Sequence, residues 1–153
     1  MATFKEYLKF TDKIEYRDRQ IAAMRGVNID EDTIEELSSI GEKKTFLIFA
    51  HPECPDCTRF VAVLETLAKY IPFVEIDYRL RSLEKELLLS LNPEGKIPSV
   101  FLVDGIKITK ILSEYPDSIK EMIYSDVNIK NKYHLGEYDG VIIETILNAI
   151  REK

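Results

Sequence analysis

The run Phe46-Leu-Ile-Phe-Ala-His-Pro-Glu-Cys-Pro-Asp-Cys57 holds both cysteines of the chain, two residues apart, where an apolar strand-like stretch gives way to a helix-like one. A dithiol at that spacing can exchange with a disulfide. Residues 46–50 read as a buried strand, and Phe60, Val63, Leu64 and Leu67 recur at helical spacing on one face of the following segment. Cys54 therefore falls at a helix N-terminus, where unpaired backbone N–H groups and the positive end of the helix dipole stabilise a thiolate. Cys57, one turn further on, is a built-in partner for closing a disulfide. Two other uses of the pair fit less well. A structural zinc site needs four ligands, and two cysteines fall short unless His51 and Glu53 join or a second chain contributes. A permanent disulfide across so short a loop removes little chain entropy.

A chain of 153 residues with 45% hydrophobic content is sized for one globular domain with a substantial core. The opening residues, Met-Ala-Thr-Phe-Lys-Glu-Tyr-Leu, are charged and lack a continuous apolar stretch. They predict neither a signal peptide nor a membrane anchor, so the cytoplasm is the expected compartment. In such a reducing compartment two cysteines read as a reactive pair rather than a stabilising bridge. A net charge of −6 offers no basic stripe, and nucleic acid is not an expected partner.

The elements that must position the dithiol follow from periodicity. Thr3 with Glu6 forms a capping box for a first helix striped by Phe4, Tyr7, Leu8 and Ile14. Asp30 or Asp32 caps a second helical piece carrying Ile34, Leu37 and Ile40, ended by Gly41. The strand 45–50 comes next, then a helix from Cys54 to about Tyr70 and a strand over 73–78. A strand, a helix and a strand in that order predict a right-handed crossover and a parallel pair. A short helix with Leu83, Leu87 and Leu91 facing inward precedes the apolar strand Ser99–Val103. Asp104-Gly105 then signals a hairpin returning through Ile106 to Leu112. Pro116 opens a short helix around 114–124, and a polar link runs from Asn128 to Gly136. In the closing amphipathic helix Tyr138, Val141, Ile142, Thr145, Ile146, Ala149 and Ile150 share one face, expected to pack on the sheet.

The order β-α-β-α-β-β-α, with C-x-x-C after the first strand, Ile76-Asp77 late in the second and Ile97-Pro98 just before the third, resembles the thioredoxin fold. The likeness covers roughly residues 44–112 and the last helix. It implies an α/β chain, 1–153, built as one three-layer α/β/α sandwich on a mixed sheet. Its core would be 44–112 and 137–153, with a helical N-terminal preface (1–41) and a helical insertion (113–136) before the last helix. The resemblance also implies roles. Cys54 would attack a substrate disulfide, Cys57 would resolve the mixed disulfide, and Pro98 would be the cis-proline shaping the substrate groove. The backbone of Ile97 would pair with an extended substrate segment, and Pro55 and Asp56 would border it. The implied partners are protein disulfides and an unidentified electron donor, with no metal or organic cofactor.

The chain departs from thioredoxin proper in ways that bear on reactivity. Glu53 stands where a tryptophan precedes the first cysteine, and Ile48 stands where thioredoxins carry a buried acid. A proton shuttle for the resolving thiol would then fall to Glu53, Asp56 or water. Glu53 and Asp56 should disfavour a thiolate, while the helix N-terminus, Arg59 and Lys96 favour it; His51 also lies close enough in sequence to tune it. Otherwise His51, Arg59 and Lys96 read as solvated surface residues, as does His134 in the polar link. The competing reading, from a different class, is a thioredoxin-fold interaction module or adaptor whose dithiol is vestigial or regulatory.

Overall fold

The apolar run that leads to the cysteines forms the central strand of a four-stranded mixed sheet. In the computed structural model, which describes residues 1–152, three helices precede it: α1 (Phe4–Leu8), α2 (Ile14–Arg25) and α3 (Glu31–Ser38). Then follow β1 (Lys44–Phe49), α4 (Pro55–Ala68), β2 (Val74–Arg79), α5 (Lys85–Leu91), β3 (Ser99–Asp104) and β4 (Lys107–Ser113). The chain ends in α6 (Lys120–Ser125), α7 (Val127–His134) and α8 (Asp139–Arg151). The strand order is β2-β1-β3-β4, with β1 parallel to β2 and antiparallel to β3. Phe46 to Phe49 are buried because helices cover both sheet faces, which is why β1 reads as a continuous apolar run rather than an alternating one. On one face α4 and α8 pack over a core that includes Phe46, Ile48, Val100 and Leu112; on the other, Leu88 of α5 meets Leu47, Phe49 and Phe101.

The N-terminal segment is two helices where the apolar spacing predicts one stripe from Phe4 to Ile14. The capping box of Thr3 and Glu6 is formed, but α1 stops at Leu8, and Ile14, 66% exposed, opens α2 instead. Thr11 makes the break: its hydroxyl accepts the Lys13 N–H (3.2 Å) and its carbonyl accepts two Arg17 guanidinium bonds, competing with helix continuation. Ahead of the break, Tyr7 stacks on Tyr78 at 4.5 Å, and Ala2 pairs with Tyr78 along the outer edge of β2. The preface thus covers one of the two sheet edges, the usual defence against edge-to-edge pairing. Asp30, not Asp32, caps α3 by accepting the Thr33 N–H at 2.7 Å.

Three further expectations are corrected. Of Leu83, Leu87 and Leu91 only Leu91 packs inward: the helix begins only at Lys85, which leaves Leu83 in the preceding turn, 78% exposed, and turns Leu88 to the core beside Leu91. The hairpin loop is Gly105-Ile106, with Asp104 paired to Lys107, so Ile106 sits at the tip in solvent rather than in the returning strand. The segment from Asn128 is not a polar link. It is α7, capped by the Asp126 side chain on the Asn128 N–H (2.9 Å), with Ile129 and Tyr133 as its inward positions. Two such positions in eight residues are too few to print a helical period on the sequence. Helix α8 packs on α4 and β4, with Ile142, Ile146, Leu147 and Ile150 buried.

Candidate active site

The turn Ala50–Glu53 carries the chain from the end of β1 to the start of α4, and Cys54 is the N-cap of that helix. Its extended backbone (φ −86°, ψ 118°) aims Sγ at the first turn, where it accepts the Cys57 N–H at 3.3 Å. Pro55 follows at the first helical position, where its missing N–H costs nothing and its fixed φ suits the helix. The Cys54 N–H is held by the His51 carbonyl (3.0 Å), and His51 Nδ1 accepts the Glu53 N–H (3.1 Å), so the turn is closed on both sides.

The two free thiols have opposite surroundings. Cys54 is partly exposed and Cys57 is fully buried. A hydrogen bond from the Cys57 thiol holds the Cys54 ionisation below that of an ordinary cysteine; partial burial and the Asp56 charge oppose this, and the Cys57 N–H assists it. Burial pushes the Cys57 thiol well up, and its bond to Cys54 and the Cys54 charge add to that. The pair therefore divides into one sulfur suited to be a thiolate and one that stays protonated.

Ile97 and Pro98 reach the same place along β3. Ser99 is registered with Phe49, which sets Pro98, one residue earlier, beside the turn leading to Cys54. The Ile97–Pro98 peptide bond is cis, and the Pro98 carbonyl accepts the Glu114 N–H at 2.8 Å.

Asp56 is the most heavily engaged side chain of the motif. One oxygen lies 2.6 Å from His134 Nε2 and the other accepts the Tyr115 hydroxyl at 2.9 Å. Tyr115 in turn stands edge-on to Tyr133 with ring centres 5.4 Å apart. The hydroxyls of Tyr133 and of Tyr7 are buried without a hydrogen-bond partner among the described residues. The Tyr7 hydroxyl is kept protonated first by burial, and negative charge on the thiol pair adds to that while Arg19 opposes it.

The sequence-predicted residues thus separate into two groups. His51, Glu53, Cys54, Pro55, Asp56 and Cys57 share the turn and the start of α4, and Ile97 and Pro98 join them through the β1–β3 pairing. Arg59, expected in solvent, is instead 6% exposed and turned toward α8. Its Nη2 donates to Asp139 Oδ2 (3.0 Å) and to the Ala23 carbonyl (3.2 Å). Nε and Oδ1 of the same pair lie 2.9 Å apart without hydrogen-bonding geometry. Lys96 donates to the Tyr124 hydroxyl (2.7 Å) and pairs with Glu114 (3.4 Å). Glu53 accepts the Thr11 hydroxyl (3.0 Å) and faces Lys13 (3.8 Å), tying the preface to the motif. His134 is corrected from a surface residue to a direct partner of Asp56. Tyr7, Tyr115, Tyr133 and His134 escape sequence reasoning: His134 lies 78 positions from Asp56, and no local spacing marks it. Among the described residues no cluster of three His, Cys, Asp or Glu side chains is placed to hold a metal ion.

A mixed sheet whose central strand delivers a C-x-x-C to a helix N-terminus, beside an Ile-Pro at the head of the antiparallel strand, defines a thioredoxin-fold protein. The family model described as Thioredoxin matches residues 1–132, and the chain belongs to that family. The match takes in the N-terminal helices as well as the dithiol. Among solved structures the chain is similar to a protein of unknown function, PA1234, from Pseudomonas aeruginosa. The two are 17% identical, with a TM-score of 0.77 over 98% of each chain. It is also similar to an HIV epitope-scaffold at 16% identity, with a TM-score of 0.79 over 97% of this chain and 92% of that one. At such identities the likeness shows the fold alone, helical additions included. No curated protein matches the sequence significantly. No helix among the described residues is long and apolar enough to cross a membrane.

Proposed function

We propose that the chain is a thiol–disulfide oxidoreductase that exchanges its Cys54–Cys57 dithiol with protein or small-molecule disulfides. One observation carries this reading: the partly exposed Cys54 sulfur caps α4 and accepts the Cys57 N–H, while Cys57, one turn away, is fully buried. The Cys54 thiolate attacks one sulfur of the substrate disulfide, forming a mixed disulfide and releasing the other sulfur as a thiolate. Cys57 then gives up its proton, through Glu53, Asp56 or water, to solvent and attacks Cys54 Sγ. This closes the Cys54–Cys57 disulfide and frees the second substrate thiolate, so two electrons pass to the substrate. A donor dithiol returns the pair to its reduced form by the same steps in reverse. In this reading the Ile97 backbone and Pro98 line the groove in which a substrate strand lies, with Pro55 and Asp56 at its border. The chain works in a reducing compartment such as the cytoplasm and takes its electrons from a donor of matching potential.

Reduction of insulin by dithiothreitol tests the proposal. The chain should accelerate precipitation of the insulin B chain, and Cys54→Ser should abolish the acceleration. A wild-type chain no faster than the uncatalysed control would contradict the proposal and favour an adaptor whose dithiol is vestigial or regulatory.

A further inference from the structure

Asp56 is the one charged residue between the two cysteines, and it is withdrawn from solvent, with its side chain only 13% exposed. Both carboxylate oxygens are taken, one by His134 and the other by Tyr115, and neither partner belongs to the thiol helix. His134 closes α7 and Tyr115 follows β4, so the segment between the last strand and the last helix reaches back to the dithiol through these two side chains. The rings are fixed against each other: Tyr133 stands edge-on to both Tyr115 and His134. A carboxylate two residues from Cys54 opposes a negative charge on that sulfur, and a cation bound to the carboxylate relieves the opposition.

We propose that His134 is a positioning residue for the dithiol: by pairing with Asp56 its imidazolium cancels the carboxylate's repulsion of the Cys54 thiolate, so the protonation state of His134 sets how nucleophilic Cys54 is. The inference rests on the reading of Cys54 as the attacking thiol. With the imidazole protonated the pair is neutral and Cys54 holds its charge readily; with the imidazole neutral, the Asp56 charge acts on Cys54 undiminished. His51, the other imidazole near Cys54, accepts the Glu53 N–H on Nδ1 and is the same in every chain compared below; the remaining groups around the pair are paired or held protonated. The Tyr115 and Tyr133 hydroxyls are held protonated, chiefly by burial and then by the Asp56 charge. Cys57 is held protonated by burial, Glu114 beside Tyr115 is paired with Lys96, and Arg59 is committed to Asp139. Of these side-chain types only an imidazole ordinarily changes charge near neutrality.

The test is the pH dependence of Cys54 alkylation by iodoacetamide in the reduced protein, read peptide by peptide by mass spectrometry. Four chains are compared: wild type, His134→Gln, Asp56→Asn and the double variant. Glutamine can keep a hydrogen bond to Asp56 without the charge. His134→Gln should slow Cys54 labelling at slightly acid pH by roughly three- to tenfold, the effect of one charge acting across a few ångströms of partly buried space. Asp56→Asn should speed labelling at slightly alkaline pH, where an imidazole is ordinarily neutral and the carboxylate would act alone, and the double variant should recover the rate that His134→Gln loses, because the uncancelled carboxylate is gone. An unchanged profile in His134→Gln would overturn the proposal, as would a double variant that labels no faster than His134→Gln. Should His134→Gln not fold, Asp56→Asn decides at slightly alkaline pH, where an imidazole is ordinarily neutral: a labelling rate there equal to or below wild type overturns the proposal. Insulin reduction by the wild-type chain reads the exchange reaction separately. An unchanged labelling profile with insulin reduction intact therefore removes the His134 assignment and leaves the oxidoreductase reading standing.

Discussion

Cys54 and Cys57 share one turn of helix yet meet different media, and in the proposed function that difference decides which of them attacks. The Cys54 sulfur accepts the Cys57 N–H, whereas Cys57 has no exposed surface. The thiolate is the nucleophile, so the alkylation rate follows ionisation. Iodoacetamide at neutral pH should therefore modify Cys54 well before Cys57. The Cys54 rate should rise with pH through a midpoint below that of a free cysteine, because its ionisation is shifted down. Equal labelling, or Cys57 first, would contradict the assignment. At this scale the sequence is legible where the chemistry is local: the spacing of Cys54 and Cys57, the proline at the head of α4 and the Ile-Pro before β3 can all be read from neighbours. It is illegible where partners arrive from afar. His134 sits in a polar stretch, and nothing within a few residues of it points to Asp56.

At the scale of elements, the preface and the insertion are bound to the thioredoxin core by aromatic residues. Tyr7 is fully buried and stacked on Tyr78, which bonds Glu65 of α4 through its hydroxyl. Tyr7→Ala should destabilise the protein by about 3–5 kcal/mol, in the range of large-to-small core changes. Tyr7→Phe should be neutral or slightly stabilising, since the deleted hydroxyl has no partner in the fold. Chemical denaturation of the two variants separates these outcomes. A large loss in Tyr7→Phe would mean that the hydroxyl is bonded after all. Strands were the easier elements to foresee, because β1 and β3 are dense in apolar and β-branched residues and Gly105 (φ +60°) turns the chain between β3 and β4. The helices that escaped are the short ones. In α5 a late start shifted the buried face to Leu88, and in α7 a cap at Asp126 and two inward residues left no periodic signature.

Across the whole molecule, α4 is the hub, carrying the dithiol at its N-terminus and joining α2, α7 and α8 along its length. Arg59 is the polar part of that junction, bonding the α2 carbonyl of Ala23 and Asp139 at the start of α8. Gly136 (φ +93°) lets the chain turn from α7 into α8 at this point, where a Cβ would come within 3.3 Å of the Arg59 guanidinium. Burial holds the Asp139 carboxyl above its usual range, with Arg59 opposing. Asp139→Ala would leave a buried cation without its partner and should cost about 3–5 kcal/mol. Replacing both residues, Arg59→Met with Asp139→Leu, should recover most of that loss in thermal unfolding. Equal destabilisation in the single and double variants would mean that packing, not charge pairing, holds α8 to α4.

The central claim is that Cys54 attacks a disulfide and Cys57 completes the exchange, and the most direct measurement is capture of the intermediate. The reduced Cys57→Ser variant is mixed with insulin, whose disulfides serve as substrate, and run on a non-reducing gel beside the wild type and the variant lacking both thiols. The account predicts a mixed-disulfide band that accumulates only in Cys57→Ser, joined through Cys54 and dissolved by dithiothreitol. No covalent band in Cys57→Ser, with the gel unchanged across all three chains, would contradict it.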